Sequence, residues 1–314
     1  MNVLSLFDGI SCGQIALERS GISVDNYYAS EIEPKPISIT MKNYPKTIQL
    51  GDVTKLDDTE LSKLPKIDLL IGGSPCQNLS RGGNGKGLKG EASKLFWEYV
   101  RILKWLKENN NCDIKFLLEN VHMSKENERI ITKVLDVTPV DINSKLFSAQ
   151  NRPRLYWTNI EIEEPINTSS NLLDILEVID TTNYIKRDSL LFDPTISEKS
   201  IALVEILNGD VIVKQATKKG YIVANNGDGI NLAFPTSKTR RGRVINQKSN
   251  TLDCGCESYV YYDNIIRRLT ITELERLQTL PDGYTEGVDL NSRKAAIGNG
   301  WTVDVIAYIL KCMN

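Results

Sequence analysis

The chain has 314 residues, 41% hydrophobic and 25% charged, enough to bury the core of one large domain or of a main domain carrying a smaller one. Its formal net charge of −2 gives no global attraction for nucleic acid, so any such attraction must be local. A single histidine, His122, excludes a His-rich metal site, and six cysteines without framework spacing point to free thiols in a reducing compartment.

The N-terminal MNVLSLFDG carries no basic leader, and no stretch approaches the roughly 18 apolar residues of a membrane span. Residues 3–7 form a short apolar run ended by Asp8-Gly9; residues 13–19 have helical character and stop at Gly21. A second strand follows at 27–30, with Pro34 where a helix would begin. Residues 67–71 and 115–118 read as strands, and 95–106 carry apolar residues at helical spacing. This alternation predicts an α/β fold with a mostly parallel sheet covered on both faces.

From about residue 161 the pattern breaks into shorter, more polar segments. Residues 162–210 are acidic, whereas 211–250 hold eight Lys or Arg against the single acid Asp228. Regular structure resumes where Thr270 and Glu273 form a capping box, and residues 301–310 are again apolar. The expected layout is a first domain over 1–160, an inserted smaller domain over 161–264, and a segment over 265–314 that returns to the first domain.

Open α/β sheets bind ligands beyond the carboxyl ends of their strands. There the sequence places Asp8-Gly9 with Gly13, then Glu31, Asp52, Pro75-Cys76 and Glu119. The turn Phe7-Asp8-Gly9-Ile10-Ser11-Cys12-Gly13 lets a ligand approach the backbone beneath a helix N-terminus. Glu31 is placed to accept from a ribose diol and Asp52 from an exocyclic amine. Cys76 sits between Gly-Gly-Ser-Pro and a loop too glycine-rich to bury it firmly, which suits a reactive thiol.

FDGISCG, GGSPCQNLS, SKLFWE, LLENV, AQNRPRLYW, RRLTITELERLQTLPDGY and AIGNGWTV, in this order, resemble the signatures of the DNA (cytosine-5)-methyltransferase family. The likeness covers nearly the whole chain and implies the class I S-adenosylmethionine-dependent fold. It implies that Cys76 adds to cytosine C6 so that C5 can accept a methyl group from S-adenosyl-L-methionine. Glu119 would hold the N3 and N4 edge of the base, Arg154 its O2, and Arg152 would support that loop or a phosphate. A duplex hides C6, so the base must be flipped out. For the cofactor the resemblance implies Phe7, Asp8, Gly9, Ile10, Gly13, Glu31, Ile32, Asp52, Val53, Leu95, Asn299 and Trp301. Ile32 stands where many relatives carry an aromatic, and Gly300-Trp301 departs from a common Ser-Val.

The same likeness makes residues 161–264 a target-recognition domain, with Arg240, Arg241 and Arg243 as DNA contacts. Thr251 and Leu252 would lie near the flipped base's backbone; Gln77, Ser80 and Arg81 would close over the DNA. The implied partner is double-stranded DNA containing a target cytosine, met by a monomer in the cytoplasm of a bacterial cell or phage-infected host. A cognate restriction endonuclease would act separately in a restriction-linked enzyme. Cys254 and Cys256 lack the further ligands a zinc site needs and read as free thiols; His122 reads as structural or surface. Two alternatives stay open: a tRNA cytosine-5 methyltransferase, whose usual Cys-Phe-Thr signature is absent, and a non-catalytic DNA-binding regulator, which would have lost the cysteine or the glutamate that this chain keeps.

Overall fold

The computed structural model describes residues 1–75, 94–168 and 170–313. Its first part alternates strands and helices: β1 (Asn2–Leu6), α1 (Cys12–Arg19), β2 (Asn26–Ser30), α2 (Pro34–Asn43), β3 (Ile48–Gln49), α3 (Asp58–Ser62), β4 (Leu69–Gly73), α4 (Lys94–Asn109), β5 (Lys115–Asn120), α5 (Lys125–Leu135), β6 (Val140–Asn143) and β7 (Pro153–Thr158). The seven strands form one sheet in the order β3-β2-β1-β4-β5-β7-β6. All run parallel except β7, which is antiparallel to both β5 and β6. This is the mostly parallel α/β sheet that the sequence predicts.

Strands buried on both faces explain the near-continuous apolar runs. Successive side chains alternate between two cores: Val3, Leu69, Ile71 and Leu117 enter one, whereas Leu4, Leu70, Phe116 and Leu118 enter the other with Phe96, Tyr99 and Ile102 of α4. Strand β4 lies two residues later than the 67–71 run suggests, because Ile67 is buried ahead of the ladder.

The second part is strand-rich: β8 (Ile185–Arg187), β9 (Leu190–Phe192), α6 (Glu198–Ile201), β10 (Val204–Leu207), β11 (Asp210–Lys214), β12 (Tyr221–Val223), β13 (Asp228–Asn231), β14 (Arg243–Ile245), β15 (Tyr259–Tyr262) and β16 (Ile265–Arg268). β10, β11 and β12 form an antiparallel sheet; β14-β13-β15-β16-β9-β8 form a second sheet, antiparallel except where β16 runs parallel to β9. A third core of Leu190, Phe192, Val211, Val213, Ile230, Tyr259 and Ile266 lies within them. The six-stranded sheet includes β16, so the strand-rich region extends to Arg268. The chain ends with α7 (Ile271–Leu277), α8 (Leu290–Asn299) and α9 (Val303–Lys311). α9 packs on α1, where Arg19 and Asp304 pair at 2.6 Å and Ser20 Oγ donates to Ala307 O at 2.9 Å. Among the described residues no helix is long and apolar enough to cross a membrane.

The predicted capping box is present at α7: Glu273 N donates to Thr270 Oγ1 at 3.2 Å and Thr270 N to Glu273 Oε2 at 2.8 Å. Glu273 has a second task. Arg267 at the end of the second sheet donates to both its oxygens, at 2.7 and 2.8 Å, and both side chains are fully buried. Glu177 N adds a bond to Glu273 Oε1 at 2.7 Å. Removing one partner of such a pair leaves the other charge buried and uncompensated. Glu273→Ala should therefore lower unfolding free energy by about 3–5 kcal/mol, measured by urea denaturation. The double variant Arg267→Met/Glu273→Leu should lie closer to the parent.

Candidate active site

The parallel strands deliver their carboxyl ends to one edge of the sheet, and β7, running the other way, delivers its N-terminal residues to the same edge. β5 ends there with Glu119-Asn120 and β7 begins there with Pro153-Arg154; Glu119 pairs with Tyr156 and Arg154 with Ile142. Arg154 is thus the diagonal neighbour of Glu119. Its Nε lies 2.9 Å from Glu119 Oε1. That N–H does not point at the oxygen, so the contact is a charge pair, and the buried donor has no aligned acceptor among the described residues.

The other carboxylate oxygen, Oε2, accepts from Trp301 Nε1 at 3.1 Å. β4 passes beside this contact at Gly73, where a Cβ would stand 2.8 Å from Trp301 Nε1 and 3.0 Å from Glu119 Oε2, so any side chain there would push the contact apart. Beyond Gly73, the buried Asn120 Nδ2 donates to Ser74 O at 3.2 Å and Ser74 Oγ at 3.0 Å. It thereby ties the end of β5 to the Ser74-Pro75 segment. The sequence motif contains Asn120, but nothing local signals this cross-strand bond. Cys76, Gln77, Ser80 and Arg81 lie outside the described residues.

At the end of β1 the backbone turns through left-handed conformations at Phe7 (φ 57°), Gly9 (φ 59°) and Ser11 (φ 56°). Two of these are not glycine, a strain that surrounding bonds must hold. Asp8 accepts from Tyr27 OH at 2.7 Å and from Ser11 Oγ, and Tyr284 OH donates to Ile10 O at 2.7 Å. Burial pushes the Asp8 carboxyl up while these donors pull it down. Ile10 and Gly13 are buried against the sheet; a Cβ on Gly13 would meet Ile71 Cδ1 at 2.5 Å. Phe7, Asp8 and Gly9 keep partial exposure.

Glu31, at the end of β2, accepts from Gly9 N at 2.8 Å through Oε2, and from Ile32 N (2.7 Å) and Glu33 N (2.9 Å) through Oε1. Ile32 is 63% exposed, an aliphatic side chain left uncovered at this edge. Asp52 caps a short helical turn, accepting from Thr54 N at 2.9 Å and Thr54 Oγ1 at 2.8 Å on Oδ1, and these bonds lower its pKa. Val53 behind it is buried and Leu95 is half-buried on α4. Asn299 is exposed and accepts from Cys254 Sγ at 3.2 Å. An apolar face flanked by two carboxylates, next to a strained glycine turn at a helix N-terminus, suits a ligand with a flat ring, hydroxyl and amine donors.

Arg152 is buried. Its guanidinium donates to Leu252 O (3.0 Å), Gly298 O (3.2 Å) and Gly300 O (3.1 Å), so it acts on backbone from three directions. The Thr251-Leu252 loop is strapped to the same place: Thr251 Oγ1 donates to Asn151 O at 2.7 Å and Leu252 N to Gln150 Oε1 at 3.1 Å. Leu252 is buried and Thr251 exposed. Of the basic stretch, Arg240 and Arg243 are exposed, Arg240 lying 4.3 Å above the Phe234 ring. Arg241 turns partly inward and donates to Gln215 O at 3.1 Å. Lys214 pairs with Glu205, and Lys248 donates to Ser148 O and Ser170 O at 3.2 and 2.6 Å, its pKa lowered by burial. His122 Nε2 lies 3.0 Å from Asp141 Oδ1 near the surface.

The family model of the C-5 cytosine-specific DNA methylase matches residues 1–314. The chain is similar to the orphan methyltransferase M.SPRI of Bacillus phage SPR, 33% identical over 51% of this chain and 38% of that protein. It is also similar to the type II methyltransferase M.NgoBV of Neisseria gonorrhoeae, 29% identical over 62% of this chain and 51% of that protein. The chain thus spans about four-tenths to half the length of these curated relatives. In fold it is similar to the Entamoeba histolytica methyltransferase EhMeth, with a TM-score of 0.68 and 14% identity, covering 100% of this chain and 97% of that one.

The thiols outside the Pro75-Cys76 segment differ sharply in environment. Cys112 and Cys254 are exposed, whereas burial pushes Cys12 and Cys256 up to about 12. A raised pKa means little thiolate at neutral pH. Iodoacetamide at pH 8 should modify Cys112 and Cys254 in the folded protein and reach Cys12 and Cys256 only on unfolding, as read by peptide mapping. Rapid labelling of Cys12 in folded protein would contradict this.

Proposed function

The chain belongs to the C-5 cytosine-specific DNA methylase family, and on that premise we propose that it methylates C5 of a target cytosine in duplex DNA, using S-adenosyl-L-methionine. The observation that carries this reading is the meeting of Glu119 and Arg154 at 2.9 Å beside the Ser74-Pro75 segment that leads into Cys76. A carboxylate and a guanidinium at one point match the N3/N4 and O2 edges of a cytosine. Arg154 Nε, buried without an aligned acceptor among the described residues, is a donor such a base oxygen would satisfy.

Cytosine C5 is a poor nucleophile until something adds at C6. In the proposed sequence the Cys76 thiolate forms the S–C6 bond while Glu119 shares a proton at N3, and Arg154 holds O2. S-adenosyl-L-methionine, when bound, supplies the electrophilic methyl group. A base then removes the C5 proton, the S–C6 bond breaks, and Cys76 leaves as thiolate with the ring restored. Glu31 and Asp52 would take the hydroxyl and amine donors of the cofactor and Ile32 its ring, with the Phe7–Gly9 turn at the methionine end. Ile10 and Gly13 shape that turn from behind. Arg152 acts as a positioning residue, since its donors are given to backbone carbonyls.

We assign target recognition to the insert, taken as residues 161–268 so that β16 stays with its sheet. The reading also carries a monomer acting on DNA in the cytoplasm of a bacterial cell or phage-infected host. A separate cognate endonuclease belongs to it where the enzyme is one of a restriction pair.

Two experiments test it. Duplex DNA carrying 5-fluorocytosine at the target should trap a covalent adduct, because fluorine does not leave as a proton does; peptide mapping should place it on Cys76. Cys76→Ser should abolish transfer with cofactor binding intact, and Glu119→Gln should slow transfer by orders of magnitude. An adduct on another cysteine, or parental turnover by Glu119→Gln, would reject the assignment.

The exposed Arg240 and Arg243 should each act on DNA without touching cofactor affinity. Alanine at either should lower the slope of log affinity against log salt by about one unit if it neutralises a phosphate, or relax sequence choice at one position by roughly 1–3 kcal/mol if it reads a guanine edge. Arg241→Ala should also reduce stability, because its guanidinium holds Gln215 O. DNA affinity across salt, with the methylated sites sequenced in parallel, measures both, and parental behaviour of all three variants would move recognition elsewhere in the insert.

A further inference from the structure

Trp301 is expected from the sequence beside the cofactor, yet its indole N–H is committed elsewhere: it donates to Glu119 Oε2 at 3.1 Å across 182 positions of chain. Three features hold that contact in place. Gly73 supplies clearance that any side chain would remove, its Cβ position being 2.8 Å from Trp301 Nε1. Gly300 O, immediately before Trp301, accepts from Arg152 Nη2 and Gln278 Nε2, both at 3.1 Å. Thr302, immediately after, donates through Oγ1 to Gln278 Oε1 at 2.8 Å and accepts from Ser144 Oγ at 2.9 Å. With both neighbours pinned, the indole has little freedom to leave the carboxylate.

We propose that Trp301 is a positioning residue for Glu119, its indole N–H clamping the carboxylate in the orientation that meets the cytosine edge. An indole N–H only donates, so Oε2 is held as an acceptor and the carboxylate plane is fixed between Trp301 and Arg154. The resemblance gives the ring to the cofactor site, and the nitrogen is spent on Glu119. The role assigned to the base rests on the function proposed above; the hydrogen bond does not.

Trp301→Phe keeps an apolar ring and removes the donor. Single-turnover methyl transfer to duplex DNA should fall about 10- to 100-fold, the loss of one hydrogen bond to a charged group. Cofactor affinity by calorimetry should stay within about twofold, since a ring wall is retained. A second readout needs neither activity nor that variant. In ¹⁵N-labelled protein, with indole signals assigned from spectra of the parent, Glu119→Gln should move the Trp301 N–H resonance and leave those of Trp97, Trp105 and Trp157 in place. A Trp301 resonance indifferent to Glu119→Gln would overturn the clamp, as would parental transfer by Trp301→Phe or a loss lying wholly in cofactor affinity. A parent that methylates no cytosine would instead sink the proposed function, with the indole resonance still deciding the clamp.

Discussion

The buried guanidinium of Arg152 is the interaction on which the geometry of this protein turns. An unsatisfied charge in such a place would cost several kcal/mol, so its donors must find acceptors of fixed position. They find them on backbone 100, 146 and 148 residues further along the chain. One side chain thereby sets the distance between the start of β7, the loop at Leu252 and the turn from α8 into α9. Gln278 reinforces the arrangement from α7, bonding Ile297 O and Gly300 O through its amide nitrogen and receiving Thr302 and Gln150 on its oxygen. The backbone that carries Trp301 is therefore held by polar bonds on both sides, in a region where apolar packing alone would allow sliding.

Strand direction supplies the second constraint. In a wholly parallel sheet the N-terminal residues of every strand lie at the far edge from the ligand. Reversing β7 brings Arg152 and Arg154 to the same edge as Glu119, and diagonal pairing sets the Glu119–Arg154 distance without any loop. The charged centre is built on ladder geometry, which is more rigid than a loop. The strained part of the same edge is the Phe7–Ser11 turn, where three residues take left-handed backbone.

Much of the first sheet was legible because its strands are buried on both faces and its turns carry glycine, proline or a cap. β1, β2, β5, α1, α2 and the Thr270–Glu273 box all announce themselves locally. The second part did not, since strands such as Tyr221–Val223 are three residues long and only half-buried, too short for any alternation to register. Side-chain direction was equally invisible: Arg240, Arg241 and Arg243 are neighbours in sequence, yet Arg241 turns toward Gln215 while the flanking two face outward. Lys248 looked like part of the basic face and is spent on two carbonyls. The Trp301–Glu119 bond joins residues 182 apart, and no local pattern encodes a contact of that range. Family resemblance assigned Glu119 to a base and Trp301 to a cofactor, and it carried no sign of the bond between them.

The knot of Arg267, Glu273 and Glu177 has a consequence for modularity. A strand-rich insert invites grafting, and the charge and composition break near residues 161 and 264 suggests where to cut. A cut at 264 would split the six-stranded sheet, leaving β16 with the recipient while β9 and β15, its partners on either side, came from the donor. It would also separate Glu177, whose backbone N–H and carbonyl serve the buried pair, from Arg267 and Glu273 themselves. A chimera joined there inherits two half-sites of a fully buried network, each evolved for a different complement. Joined instead ahead of Leu172 and beyond Leu277, the transplanted piece keeps its own sheet edge and its own buried ion pair, and the seam must then match the strap around Arg152 and the bonds that Glu275 and Arg276 make to Gly283, Thr285, Arg293 and Asp282.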